Sequence, residues 1–315
     1  MKIPEKMRAA AIDRNGGPSV LTLHTLPVPV PASNEVLIAV NTAGVGGWDA
    51  SMRKNSSQFP KVLGTDGSGT IAAVGSRVRR LDVGDQVFGY AYDNPKGGFY
   101  AEYVVLPAVN VARIPAGYDL RESGAAMVTS LTALQGVDDA LELKRGETIL
   151  IHGASGSVGH LALQFAKARG ARVLATASGK DGVAFVRRLG ADLAIDGKRD
   201  DIEAVAHAFA PDGIDAVLAF AGGPALTRCL STLRRGGRAA HPNGISPVPR
   251  ERKGITITAY DAEPGIRQLA RLDRAWRECR LQIPIAKEYT LANARRAHER
   301  LEKGHILGKI VLRMS

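Results

Sequence analysis

The run His152-Gly-Ala-Ser-Gly-Ser-Val-Gly159 carries the clearest chemistry in this sequence. It follows the apolar stretch Thr148-Ile-Leu-Ile-His152. It opens a segment in which Val158, Leu161, Ala162, Phe165 and Ala166 recur at helical spacing. A strand, a tight glycine turn and a helix start, in that order, are the context a dinucleotide pyrophosphate requires. Ala154 takes the place of the first glycine, giving A-x-G-x-x-G. Gly156 would let the backbone approach the phosphates, and Gly159 would let helix and strand pack closely. The amides of Ala154, Ser155, Gly156, Ser157, Val158 and Gly159, at the positive end of the helix, form the expected phosphate cradle.

The end of the next strand decides between the two nicotinamide dinucleotides. A carboxylate about 20 residues past the loop would bond a ribose 2′-hydroxyl. The sequence there reads Ala175-Thr-Ala-Ser-Gly-Lys180, with no carboxylate at the strand end. Ser178 and Lys180 suit a 2′-phosphate, so NADPH is the expected cofactor. The alternative for Lys180 is an ordinary solvated lysine. Asp181, further into the turn, reads as a helix cap. Phe220-Ala221 and Asn243 each follow a further strand, where ligands of parallel sheets bind; for Asn243 a plain turn is the alternative.

These residues need a scaffold, and the chain changes rhythm twice. Residues 1 to about 117 alternate in short β-rich runs, 35–40, 69–74, 86–90 and 100–105, separated by Gly, Pro and Asp turns. Such runs suggest a barrel-like domain. From 118 to 261 strands (148–152, 172–176, 193–195, 214–220 and 238–240) mostly alternate with helical segments, the mark of a parallel sheet covered on both faces. Residues 262–315 hold two amphipathic helices and a strand at 310–312. They are too few for a domain and are expected to return to the first one. The fold class is therefore α/β, with the Rossmann unit inserted into a β-rich catalytic domain.

The length of 315 residues suits two domains, and 45% hydrophobic with 23% charged residues is ordinary globular composition. Cys229 and Cys279 cannot build a disulfide framework, which fits a reducing compartment. No signal peptide is visible and no 18 apolar residues run together, so a cytoplasmic protein is expected, with no membrane partner. The net charge of +11 raises the question of nucleic acid. The charge is dispersed, however. Its densest stretch, Arg267, Arg271, Arg274 and Arg277, lines one helical face interrupted by Asp273 and Glu278 and reads as a solvated face.

Five segments in order carry a resemblance over nearly the whole chain: 62–75, 82–89, 98–103, the glycine loop and 301–311. Together they resemble the zinc-independent quinone oxidoreductases, zeta-crystallin-like members of the medium-chain dehydrogenase/reductase family. The resemblance implies a GroES-like catalytic domain, an active-site cleft beside the Rossmann domain, and a homodimer joined through the last Rossmann strand, 255–260. Zinc enzymes of the family carry Gly-His-Glu where Gly64-Thr65-Asp66 stands here. Neither cysteine lies in the first domain, and no two of the seven histidines share ligand spacing, so no metal is expected. Without a Lewis acid the fitting acceptors are already electron-poor: quinones, or enones and enals.

On the acceptor side the resemblance points to the stretch Ala43–Arg53. Trp48 offers a flat wall for a planar acceptor, with ordinary core packing as the alternative. Asp49 is a candidate catalytic residue, or else orients Arg53 or caps a short helix. Gly46 stands where quinone oxidoreductases generally carry Asn, and Ser51 where many carry Tyr. Thr132 matches a threonine close to the nicotinamide, unless it only bonds its own helix. Gly197 replaces a tyrosine that sits by the 2′-phosphate in some relatives. The expected activity is NADPH-dependent hydride transfer to quinones or other conjugated carbonyls. An enone/enal double-bond reductase and a low-turnover NADPH-binding sensor that contacts RNA are the other readings.

Overall fold

The computed structural model describes residues 2–314. The chain opens on strands β1 (Lys6–Ile12), β2 (Leu21–Pro27) and β3 (Glu35–Val45), helix α1 (Gly47–Asn55), and strands β4 (Lys61–Val62), β5 (Asp66–Val74), β6 (Gln86–Tyr90), β7 (Tyr103–Pro107) and β8 (Val111–Arg113). Helix α2 (Leu120–Gln135) precedes the alternating part. That part runs β9 (Thr148–His152), α3 (Gly159–Ala168), β10 (Arg172–Ala177), α4 (Gly179–Arg188), β11 (Leu193–Asp196), α5 (Ile202–Phe209), β12 (Ile214–Ala219), α6 (Pro224–Ser231), β13 (Leu233–Pro242) and β14 (Thr256–Tyr260). The chain closes through α7 (Ile266–Cys279), β15 (Ile285–Thr290), α8 (Ala294–Glu302) and β16 (Lys309–Arg313).

Two compact units result. One holds the residues up to Val128 with Pro264–Arg277 and those from Ile283 onward; the other holds Thr129–Glu263 with Glu278–Gln282. The division runs through α2, later than the 117/118 boundary expected from the rhythm of the sequence. A helix is continuous in its hydrogen bonding, so no turn-rich linker marks the passage.

In the first unit the sheet runs β15-β16-β3-β5-β6-β8, with β7 also on β3, beside a smaller sheet β2-β1-β4. Strand β3 is buried along most of its length because it meets β5, β7 and β16. The closing strand is antiparallel to its end, with Ile310 opposite Val45 and Val311 opposite Gly44. Trp276 of α7 anchors that helix between Phe88, 5.3 Å away between ring centroids, and Tyr118 at 4.8 Å. The strand expected at 100–105 begins only at Tyr103. The amides of Gly98, Phe99 and Tyr100 instead bond back to the carbonyls of Val62, Gly64 and Leu63.

The second unit is a parallel sheet in the order β11-β10-β9-β12-β13-β14. Its central strand β9 is buried at every residue, which is why it reads as a continuous apolar run rather than an alternation. Helix α3 is likewise buried from Gly159 to Ala166. The strand order reverses between β9 and β12, and the carboxyl edge there is the place for a ligand in a doubly wound sheet.

Candidate cofactor and acceptor sites

The loop between β9 and α3 has the shape its glycines require. Gly153 turns with φ of 76°, a left-handed conformation open to glycine. A Cβ on Gly159 would lie 2.3 Å from the Gly153 carbonyl oxygen and 2.7 Å from the Ala154 Cα, so the helix start packs directly on the loop. A Cβ on Gly156 would meet only the Gly153 oxygen, at 3.3 Å. Gly156 is therefore crowded by that one oxygen alone, while Gly159 is a packing residue. The Ala154 amide is spent on the Thr176 carbonyl at 2.9 Å and the Gly156 amide on Gly153. The His160 and Leu161 amides of the first turn of α3 are also taken, by the Gly156 and Val158 carbonyls, so the amides left to face a ligand among the described residues are those of Ser155, Ser157, Val158 and Gly159. Phe220 and Ala221 lie beside this loop: the Phe220 amide bonds the His152 carbonyl at 3.0 Å, and Ala221 lines the open side of Gly153. This loop fits a dinucleotide pyrophosphate.

The neighbouring edge carries no free carboxylate at the end of β10. Ser178 is the N-cap residue of α4, and its side chain makes no cap hydrogen bond. Lys180 is exposed in the first turn. Asp181, expected as the cap, is instead the third helical residue, an acidic first-turn position that suits the helix dipole. Asp196, at the end of β11, spends its carboxylate on the amides of Gly179 (3.1 Å) and Lys198 (3.0 Å). Arg228 of α6 reaches the same edge and donates to the Gly197 carbonyl at 3.2 Å. Burial, and then the Arg228 charge, push His152 down to about 4, so its ring is neutral and bonds the Thr176 hydroxyl at 2.8 Å. Asn243 sits past the end of β13, its side chain donating to Asp261 at 2.7 Å. Thr132 lies buried in α2, and its carbonyl accepts from the Tyr260 hydroxyl at 3.0 Å.

In the first unit, Asp49 is fully buried at the start of α1. Its carboxylate accepts from the Gly46 amide (2.8 Å), the Thr65 amide (2.9 Å) and the Thr65 hydroxyl (2.8 Å). Of the roles considered for it, capping the helix is the one its contacts display. It makes no bond to Arg53 among the described residues. Burial pushes Asp49 up to about 6; the Gly46 amide opposes that rise and the nearby Asp66 adds to it. Arg53, also buried, donates to His298 Nδ1 (2.6 Å), to the Gly16 carbonyl (3.0 Å) and to Glu302 (2.5 Å). His298, pushed down to about 3 by burial and by Arg53, is neutral, which fixes its tautomer. Nδ1 accepts, so Nε2 carries the proton and donates to the Tyr100 hydroxyl at 3.1 Å. Tyr100 in turn donates to Asp49 at 3.4 Å. Trp48 stands on the same helix turn, half-buried, its ring against Gly46: a Cβ there would lie 2.3 Å from the indole.

Two family models match this chain. Residues 32–116 match an alcohol dehydrogenase GroES-like domain, and residues 189–312 match a domain described as zinc-binding dehydrogenase. A quinone oxidoreductase of Lama guanicoe is 32% identical over 97% of both chains. The chain belongs to the quinone oxidoreductases of the medium-chain dehydrogenase/reductase family. The solved quinone oxidoreductase of Coxiella burnetii superposes with a TM-score of 0.88 at 31% identity, covering 98% of this chain and all of that one. A mycobacterial protein solved in complex with NADPH gives 0.87 at 28% identity, covering 98% and 99%.

Within this quinone oxidoreductase fold, no group of three or more His, Cys, Asp or Glu side chains placed to hold a metal is found among the described residues. Sequence reasoning missed Arg228, because an arginine midway along α6 carries no motif. It missed the chain from Arg53 through His298 to Tyr100, whose members lie up to 245 positions apart. It also missed Lys309, which is fully buried on the closing strand.

Proposed function

We propose that this protein is a zinc-independent oxidoreductase that transfers hydride from NADPH to quinones or related conjugated carbonyls. The observation that carries the reading is the β9–α3 loop, shaped for a pyrophosphate, in a chain 32% identical along 97% of its length to a quinone oxidoreductase. NADPH supplies the hydride when bound. The protein's own residues then have three tasks. The loop from Ala154 to Gly159 wraps the phosphates, with the amides of Ser155, Ser157, Val158 and Gly159 free to face them and Ala154 and Gly156 shaping the turn, and with Phe220, Ala221 and Asn243 along the same sheet edge. Ser178 and Lys180, with Arg228 nearby, provide hydrogen bonds and positive charge for the 2′-phosphate. On the acceptor side Trp48 offers a flat face, Asp49 holds the turn that presents it, and Thr132 is assigned to the nicotinamide end. NADPH rather than NADH is supported by the missing strand-end carboxylate and by the mycobacterial relative solved with NADPH. We further assign a cytoplasmic, dimeric state, supported by two unpaired cysteines and by the open edge of β14.

The test is NADPH consumption by purified protein against matched quinones and enones, with a chelator present throughout. Turnover with quinones is expected. Turnover with enones alone would move the protein to the double-bond reductases, and tight NADPH binding without turnover would favour a cofactor-binding sensor.

A further inference from the structure

Strand β3 ends Ala43-Gly44-Val45 and Gly46 follows in extended backbone, so Gly44 and Gly46 lie on one face by the period of two in a strand. The register of the flanking strands places charged residues beside them. Val311 opposite Gly44 and Ile310 opposite Val45 carry Lys309 to the level of Gly46, while Ala43 opposite Gly67 carries Asp66 to the level of Gly44. The missing side chains leave room for Asp66 and for the Trp48 ring. A Cβ on Gly44 would lie 2.5 Å from Asp66 Oδ1, and one on Gly46 would strike the Trp48 ring. Lys309 Nζ stands 5.5 Å from the centre of that ring. Three polar atoms around this glycine floor are buried and have no hydrogen-bond partner among the described residues: Lys309 Nζ, Asp66 Oδ1 and Trp48 Nε1. Lys309 and Asp66 are both fully buried, and Asp66 Oδ2 is already engaged by the Val128 amide at 3.0 Å.

An unmade hydrogen bond on a buried polar atom is destabilising, and more so on a charged one. Of three such atoms around one floor, two are donors of the kind a carbonyl oxygen or oxyanion needs, and one is an acceptor for the hydroxyl that oxygen becomes. We propose that Lys309, Trp48 and Asp66 form an oxygen-binding site, and that in the reductase reading it takes the carbonyl oxygen of the acceptor, with Lys309 as its proton donor. This inference rests on that reading for the identity of the ligand, though not for the site itself. An acceptor that gains a hydride at its conjugated position carries the electron pair onto its carbonyl oxygen. An N–H bond of Lys309 breaks as the O–H bond forms, and the amine left behind regains a proton from solvent. The new hydroxyl accepts from Trp48 and from Lys309 and donates to Asp66. Burial already pulls the Lys309 ammonium toward releasing its proton, against the pull of Asp66 and then Asp49. Trp48, half-buried, is the side chain that must move to admit an acceptor.

The test uses the full chain saturated with NADP⁺ and 4-nitrophenol, a redox-inert phenol whose ionised form absorbs near visible violet. In the parent, bound nitrophenol is expected to be held as the phenolate at a pH where the free compound is largely protonated. Lys309→Met should lose that absorbance and lower quinone turnover by about 100-fold, the scale for removing an oxyanion donor, with NADPH affinity unchanged by fluorescence titration. Should K309M fail to fold because Asp66 is left charged alone, the neutral pair K309M/D66N replaces it with the same expectation. A folded variant that keeps the phenolate band and turns over within about twofold of the parent overturns the proposal. A parent that binds no phenolate overturns it as well. If the parent reduces no quinone or enone, the proposed function falls, and the nitrophenolate titration still decides the oxygen site.

Discussion

At the scale of single residues, Asp49 shows how burial and hydrogen bonding pull against each other. The Gly46 amide and the Thr65 amide and hydroxyl favour its ionised form, yet burial wins and its carboxyl rises from 3.8 to about 6. A raised carboxyl means the folded state holds its proton more tightly than the unfolded chain does. The stabilisation this brings is complete below about pH 4 and is lost as the pH climbs through about 6, on the order of 3 kcal/mol for a shift of about two units. Urea midpoints measured across that window should therefore fall more steeply in the parent than in Asp49→Asn, which cannot ionise. Equal slopes in the two proteins would mean that Asp49 does not carry the effect. The phosphate loop offers a second pair of residues with opposite expectations. Gly159→Ala drives a methyl into the Gly153 carbonyl, so both thermal stability and NADPH affinity should drop. Gly156→Ala meets nothing closer than 3.3 Å, so the fold should hold while NADPH binding weakens about tenfold or more (~1.4 kcal/mol). Calorimetric melting beside fluorescence titration of both variants separates the packing role from the ligand role.

At the scale of elements, what the sequence disclosed follows from how local each signal is. Strand β9, its glycine turn and α3 are contiguous, and every cue that defines them lies within about twenty residues. Strand β14, at Ile255-Thr-Ile-Thr-Ala-Tyr260, was expected only through the family resemblance. Strands β1, β2 and β15 were not anticipated, since their burial patterns mix exposed and buried positions without clean alternation. The acceptor side was legible only as a stretch. Trp48 and Asp49 could be named, but the partners that define them, Thr65, Asp66 and Lys309, arrive by sheet register from distant segments. A lysine in Gly308-Lys-Ile-Val311 reads as a solvated side chain until the sheet is closed around it. Strand β14 also supports a prediction of its own. It pairs with β13 on one side alone among the described residues, leaving an open edge in a strand with an exposed Ala259. Such edges invite pairing with a second copy, and a lysine placed there blocks it. Light scattering should find a dimer in the parent and a monomer in Ala259→Lys. A dimer that survives the substitution would move the interface elsewhere.

At the scale of the whole molecule, the two units share a chain but not a task, and the cofactor residues assigned above fall in only one of them. Ala154 to Gly159, Ser178, Lys180, Phe220, Ala221 and Asn243 all belong to the unit of Thr129–Glu263. A ligand that binds the folded form alone stabilises it by about 2.7 kcal/mol at a hundred times its dissociation constant. NADPH should therefore raise the melting transition of the parallel-sheet unit first. Were the units to melt separately, the transition of the glycine-floored unit should stay in place. The same titration tests nucleotide choice, because Ser178, Lys180 and Arg228 add favourable terms for a 2′-phosphate and no carboxylate stands free at that strand end to reward a 2′-hydroxyl. At equal concentration NADPH should shift the transition further than NADH, and the gap should shrink as salt screens the Lys180 charge in particular, since that side chain is exposed. Equal shifts by the two nucleotides at low salt would contradict the assignment of NADPH and leave the phosphate loop as the whole of the recognition.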